Sequence, residues 1–193
     1  RVSQKNFSAP VSIDSQDEFQ ELGSAFNNMS RRLENSFDIM NSLSEIDRLI
    51  LRNNNLSSIT SLAWERAQRV LRAELLIIAT KSDSNTNNLT LLAGTDESAK
   101  PQELNVSINN EDIALTHALS LSSRISATTL DQHNGNLAKQ LGSFACNNLS
   151  VTPILLDGEW RGFIALGFNL SSPPKNDSLV EGLADRLAVS MSN

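Results

Sequence analysis

Cysteine is almost absent from this chain of 193 residues: Cys146 stands alone. That excludes an internal disulfide framework and a multi-thiolate metal site, and it agrees with a reducing compartment. Tyrosine is missing, and Trp64 and Trp160 are the only tryptophans, so the core has few large aromatic anchors. No apolar run approaches the ~20 residues that a membrane-spanning helix needs. The longest are Leu75 to Ala79 and Phe163 to Phe168. Basic side chains are outnumbered 16 to 22, giving a formal net charge of -6. With no Lys/Arg stripe to neutralise phosphates, nucleic acid is excluded as a partner. The chain starts at Arg1 with no Met and no leader, and reads as a segment of a longer protein.

The motifs of enzymes are also missing. There is no G-x-x-x-x-G-K loop, no G-x-S-x-G elbow and no H-E-x-x-H pair. His117 and His133 fall in different elements with no third ligand at metal spacing, so no metal site and no catalytic residue is expected. Cys146, in Ser-Phe-Ala-Cys-Asn-Asn, shows no neighbouring base that would activate a thiol.

What the sequence does contain is helical periodicity. Residues 1–16, with Pro10 and the alternation Val11, Ile13, read as an extended connector. Ser15 and Glu18 form a capping-box pattern, with Asp17 at the positive helix end. From there Phe19, Leu22, Phe26, Met29 and Leu33 step by 3, 4, 3 and 4, a heptad. The step from Leu33 to Phe37 is 4 where 3 is due. Three steps of three follow, through Met40 and Leu43 to Ile46, and then Ile50. Such a stutter alters the local supercoil. A helix over 17–52 is about 50 Å long, too long to pack on a small domain alone. It therefore reads as a dimeric coiled coil with Phe19, Leu22, Phe26, Met29, Leu33, Phe37 and Met40 as its seam. The alternative is a helix folded back on the core.

Asn53-Asn54-Asn55 breaks that helix. A second helix is expected over Leu56 to Leu71, a buried strand over Leu75 to Ala79, a turn over 82–88 and a strand over Leu89 to Ala93. Leu104, Val106 and Ile108 alternate like a short strand. A helix over Asn110 to Leu121, a strand over Ile125 to Leu130 and a weak helix ending at Gly142 come next. Ser150 to Leu156 and Trp160 to Phe168 flank Asp157-Gly158, a hairpin turn pair. A final helix follows Pro173-Pro174. The pattern predicts an α+β fold: a long N-terminal coiled-coil helix, then an antiparallel sheet flanked by helices.

Two segments carry a family resemblance. Asp17, Glu18, Leu22, Ala25, Phe26, Asn27 and Met29 resemble the second half of a HAMP domain, in which a D-E pair precedes L-x-x-A-F-N-x-M. Gln20 stands where that family commonly has Gly. Residues 43–193 resemble a GAF domain. The carriers are the junction Ser44-Glu45-Ile46-Asp47-Arg48-Leu49-Ile50-Leu51 and the late hairpin Val151-Thr-Pro153 through Asp157-Gly158 to Gly162 and Gly167. The implied division is a HAMP connector at 1–16, the second HAMP helix continuing as a signalling helix at 17–52, and a GAF-like sensor domain at 53–193.

The resemblance implies a non-catalytic sensory and signal-coupling region of a bacterial membrane-anchored receptor. Such a region acts as a homodimer through parallel helices, on the cytoplasmic side of the inner membrane, held there by a span preceding Arg1. The junction is most similar to receptors with cyclic di-guanylate synthase or hydrolase output. A histidine-kinase sensor region and a ligand-free dimerisation relay are the alternatives. No cofactor is assigned. The N-K-x-F-D-E signature of cyclic-nucleotide binding is absent, and Cys146 lacks the following His of a bilin attachment site. If the GAF-like part holds a small ligand, the resemblance places it between the sheet and segments 105–148. His117, Arg124 and His133 are then the groups to meet a polar or anionic molecule. Each also has an ordinary reading as a surface or turn side chain.

Overall fold

The apolar steps along the first helix decide how the chain is laid out. The computed structural model describes residues 18–52, 55–81, 87–95, 100–121, 123–144, 146–169 and 177–192. The connector expected at 1–16, the capping residues Ser15 and Asp17, Asn53, Asn54, most of the 82–88 turn and Pro173-Pro174 lie outside the described residues. Helix α1 spans Glu18–Ile50, 33 residues. Along it Leu22, Phe26, Met29, Leu33 and Met40 face solvent. Each step of three then falls about 60° short of a full turn, which swings the stripe around the helix. Leu43 turns inward, and Ile46 and Ile50 enter the core, Ile46 at 0% exposure. The single stripe read from the sequence is therefore two faces of one helix.

Helix α2 (Leu56–Leu71) starts at Asn55, whose side chain accepts the Ser58 N–H at 2.9 Å. One of the three helix-breaking asparagines thus caps the next helix. Ile59, Ala63, Trp64 and Ala67 bury its inner face. Trp64 anchors it: the indole Nε1–H donates to the Leu76 carbonyl at 3.0 Å, so a large buried aromatic keeps its polar atom satisfied.

Six strands, β1 (Leu75–Lys81), β2 (Asn88–Gly94), β3 (Gln102–Ser107), β4 (Ser123–Ser126), β5 (Asn148–Leu156) and β6 (Glu159–Phe168), form one sheet. Its order is β3-β2-β1-β6-β5-β4, with antiparallel pairing throughout. The central strands β1 and β6 are covered on both faces, which is why they read as continuous apolar runs. In the β5–β6 turn both Asp157 (φ 52°) and Gly158 (φ 82°) have positive φ, the type I′ arrangement that matches the strand twist.

One face of the sheet, with Leu76, Ile78, Ile164 and Leu166, packs against α1, α2 and the last helix α6 (Asp177–Ser190). The other, with Ile77, Leu91, Phe163 and Ala165, is covered by α3 (Ile113–Leu119), α4 (Ala127–Leu130) and α5 (Asn136–Gly142). The fold is α+β, a sheet between two helical layers.

Two local expectations need correction. Of the strand expected at Ile125–Leu130, only the start pairs with β5. The Ser126 hydroxyl accepts the Thr129 amide at 3.3 Å and caps α4 instead, so the chain turns helical there. The helix expected from Asn110 begins with a 3-10 turn, Asn110–Asp112, because Asn109 and Asp112 form a capping box with each other's backbone.

Candidate functional site

The helical layer of α1, α2 and α6 is where the long helix meets the sheet domain. Ile46 sits in the core between two ion pairs that α1 makes on either side. Toward α2, Glu45 Oε2 lies 2.6 Å from Arg66 Nη2. Toward α6, the Asp47 carboxylate takes Arg186 side-on, with Nε 2.7 Å from Oδ1 and Nη2 donating to Oδ2 at 3.0 Å. Leu43 fits against Gly182 of α6, where an added β-carbon would lie 3.1 Å from Leu43 Cδ1. The last turn of α1 is thus keyed to both neighbours by charge and by shape.

The residues expected as a dimer seam all lie on α1. Phe19, Leu22, Phe26, Met29, Leu33 and Met40 are exposed, Leu22 to 64%, and Phe37 is half-buried. The side they occupy continues past Met40 by steps of 7 and 4 to Asp47 and Leu51, which is 83% exposed. There the helix borders a cleft of about 350 Å³ lined by Asp47, Ile50 and Leu51 of the α1 end and Asp185, Arg186 and Val189 of α6. The exposed stripe of α1 therefore reaches the last turns of α6.

On the opposite face, His117 is exposed on α3. Arg124, exposed on edge strand β4, pairs with Ser150 and so points to the other face, the one that carries Leu166. His133 is half-buried in the turn after α4, its N–H donating to the Leu130 carbonyl at 3.0 Å. Among the described residues no hydrogen bond or ion pair joins the three side chains. On the α3–α5 face Leu115, Leu119, Leu137, Leu141 and Phe163 are buried and pack together against the sheet.

One acid within the helix expected from Asn110 organises this face. Asp112 has 0% exposure. Its carboxylate accepts the amides of Asn109 and Asn136 at 3.1 Å on Oδ2, and of Leu137 at 3.0 Å and Ala138 at 3.4 Å on Oδ1. It therefore caps α5, whose own N-cap residue, Gly135, has no side chain to do so. The only local trace of this in the sequence is the Asn109-to-Asp112 spacing; the partner helix is more than twenty residues away.

Cys146 precedes β5 and is half-buried. Burial pushes its thiol up, and the negative charge of Glu74 adds to the effect. The sulfur is held protonated and weakly nucleophilic. Among the described residues no cluster of three His, Cys, Asp or Glu side chains is placed to hold a metal ion, and no helix is long and apolar enough to cross a membrane.

Two parts of the chain are similar to known proteins. Residues 1–35 match the HAMP domain family. The sheet domain has the GAF fold. It is similar to the phycoerythrobilin-bound GAF domain of a cyanobacterial phytochrome, with a TM-score of 0.60 and 16% identity over 81% of this chain and 96% of that one. Residues 122 to 287 of a methyl-accepting chemotaxis protein superpose with a TM-score of 0.57 and 14% identity, covering 78% and 94%. The GAF domain of an Acinetobacter phosphoenolpyruvate-protein phosphotransferase gives 0.55 and 10%, covering 79% and 92%. No curated protein matches the sequence. At these identities the structural likeness speaks to the fold alone.

Proposed function

We propose that this chain is the non-catalytic sensory and signal-coupling region of a bacterial membrane-anchored receptor. In this proposal residues 1–16 are a HAMP connector, 17–52 the second HAMP helix continuing as a signalling helix, and 53–193 a GAF-like sensor domain. The observation that carries it is the double life of α1. Its first two-thirds present an apolar stripe to solvent, while its last turn is buried beside α6 and joined to it through Asp47 and Arg186.

Two chains pair through the stripe of Phe19, Leu22, Phe26, Met29, Leu33, Phe37 and Met40, in parallel. A rotation or tilt of the paired helices then displaces Ile46 and Asp47, and α6 follows. The stutter between Leu33 and Phe37 gives the pair two packings close in energy, the kind of bistable element a relay needs. A ligand on the GAF-like domain biases that equilibrium to the extent that it prefers one packing. His117 and His133 are the groups through which a small polar or anionic molecule would engage the α3–α5 face; Arg124, the third candidate, points to the other face of the sheet. The output is cyclic di-guanylate turnover by a domain beyond Asn193, on the resemblance of the Ser44–Leu51 junction. The receptor sits on the cytoplasmic side of the inner membrane, anchored by a span before Arg1.

The pairing is tested by light scattering of the purified chain over a concentration series. A dimer that Phe26→Glu converts to monomer, with the sheet domain still melting cooperatively, supports the relay. A wild-type chain that stays monomeric at high concentration, or a variant that stays fully dimeric, contradicts it.

A further inference from the structure

An acidic chain, of net charge -6, gathers three arginines around one groove. The groove lies between α1 and α2, on the side of α1 away from α6. It has a volume of about 300 Å³, and Arg66, Arg69 and Arg72 line it together with Asp38, Ser42 and Glu45. The two carboxylates leave an excess of one positive charge on the wall, and Glu45 is already engaged by Arg66 at 2.6 Å. Among the described residues no ion pair forms at Arg69 or Arg72. The donors of Arg66 are not all used either: its Nε is buried without a hydrogen-bond partner.

Arg69 has an ordinary explanation, since a cation in the last turn of α2 meets the negative end of the helix. Arg72 does not. It is the C-cap of α2, at φ 46° and ψ 44°, with its N–H donating to the Gln68 carbonyl at 2.8 Å. That left-handed position favours Gly or Asn. A long charged side chain held there in a disfavoured backbone conformation, at the rim of a polar groove, points to a use other than capping.

We propose that this groove binds a compact phosphorylated anion carrying at least two negative charges. Guanidinium forks match phosphate oxygens in pairs, and Ser42 adds a neutral hydrogen-bonding group from α1. The volume stands at the small end of ligand sites, about 300 to 1,000 Å³. The anion bridges α1 and α2, in the helical layer on the other side of the sheet from α3 and α5. Binding here needs neither the dimer nor the relay.

The test is calorimetric titration of the whole chain, at low salt, with inorganic pyrophosphate and in a parallel arm with a nucleoside diphosphate. One anion per chain is expected, in either arm. A nucleoside diphosphate that binds more tightly than pyrophosphate shows that the groove also holds a sugar or base; equal affinities show that the phosphates alone are recognised. Arg69→Gln and Arg72→Gly each weaken binding about tenfold or more, the cost of one charge-assisted contact. Arg72→Gly melts no lower than wild type, because Gly relaxes the left-handed backbone, so its lost affinity is not lost folding. No binding in either arm at millimolar concentration overturns the proposal, as does binding that both variants leave unchanged. If the variants instead dissociate a dimer by light scattering while anion affinity holds, the groove is an interface between copies and the proposal fails.

Discussion

Asp47 and Arg186 stand 139 residues apart in the sequence and face each other across the α1–α6 contact in a two-point pair, at 2.7 and 3.0 Å. The pair ties the last turn of the entering helix to the last helix of the domain. Both side chains are part-exposed, at 46% and 29%, so water screens much of the attraction. A double-mutant cycle with Asp47→Asn and Arg186→Gln, read by urea unfolding, is expected to return a coupling of about 0.5–1 kcal/mol. A coupling indistinguishable from zero would leave the apolar contacts of Leu43, Ile46 and Ile50 to join α1 to α6.

The two faces of α1 predict opposite responses to substitution. Ile46→Ala opens a void in a filled core and should cost about 2–5 kcal/mol. Leu22→Ala, on the exposed stretch, should change the stability of the monomeric sheet domain by less than about 0.5 kcal/mol while weakening self-association. Urea melts paired with light scattering separate the two. Equal costs at both sites would mean that the helix is buried along its whole length.

Asp112 and Gly135 form a lock. A β-carbon on Gly135 would fall 1.8 Å from Asp112 Oδ1, far inside van der Waals contact. Gly135→Ala must therefore push the carboxylate off the α5 amides. Asp112→Ala leaves those amides unpaired and should cost about 2–4 kcal/mol. The two substitutions should be far from additive, because the second acts on a contact that the first has already broken. Hydrogen exchange at Leu137 and Ala138 is the local readout: protection lost in either variant is expected, and full protection in Asp112→Ala would refute the cap.

The Cys146 thiol, pushed up by burial and by Glu74, should alkylate slowly near neutral pH and faster as the pH rises. Glu74→Gln removes the charge that disfavours the thiolate, so alkylation at a fixed pH should speed up. The sign for stability follows from linkage. The folded state resists ionisation, so stability is whole below the ordinary thiol value of 9.0 and declines as the pH climbs past it. Iodoacetamide kinetics from pH 7 to 10 measure the first effect. A Glu74→Gln rate equal to wild type would mean that burial alone raises the thiol.

Features with a local signature were readable from the residues. Helix α1 and helix α2 followed their periodicity, and the β5–β6 hairpin followed Asp157-Gly158, whose positive φ values few other dipeptides tolerate. The α+β class followed from the spacing of short strands and helices. What stayed hidden depends on partners distant in sequence. Nothing around Asp112 announces the amides of α5, and nothing in the apolar stripe of α1 says that Met40 faces water while Ile46 faces α2 and α6. The steps of three record the turn of the stripe, but its meaning comes only from the layer it turns into. The strand expected at Ile125–Leu130 lost its second half to Ser126, a short-range capping residue hidden in an apolar and β-branched run. The candidate ligand groups His117, Arg124 and His133 share a segment of sequence, but the strand pleat turns Arg124 to the face of the sheet away from α3.

In the proposed relay, movement of paired α1 helices reaches α6. Electron-spin distance measurement between nitroxides on Ser192→Cys in the two chains of a dimer, in a Cys146→Ala background, reads this movement. The distances are compared with and without deletion of Ser36, which turns the stutter into a regular heptad step and rotates the seam by about 100° relative to the domain. The relay predicts an inter-chain distance that shifts by several ångströms on deletion, while the sheet domain melts as before. An unchanged distance distribution, or no inter-chain distance at all, would contradict it.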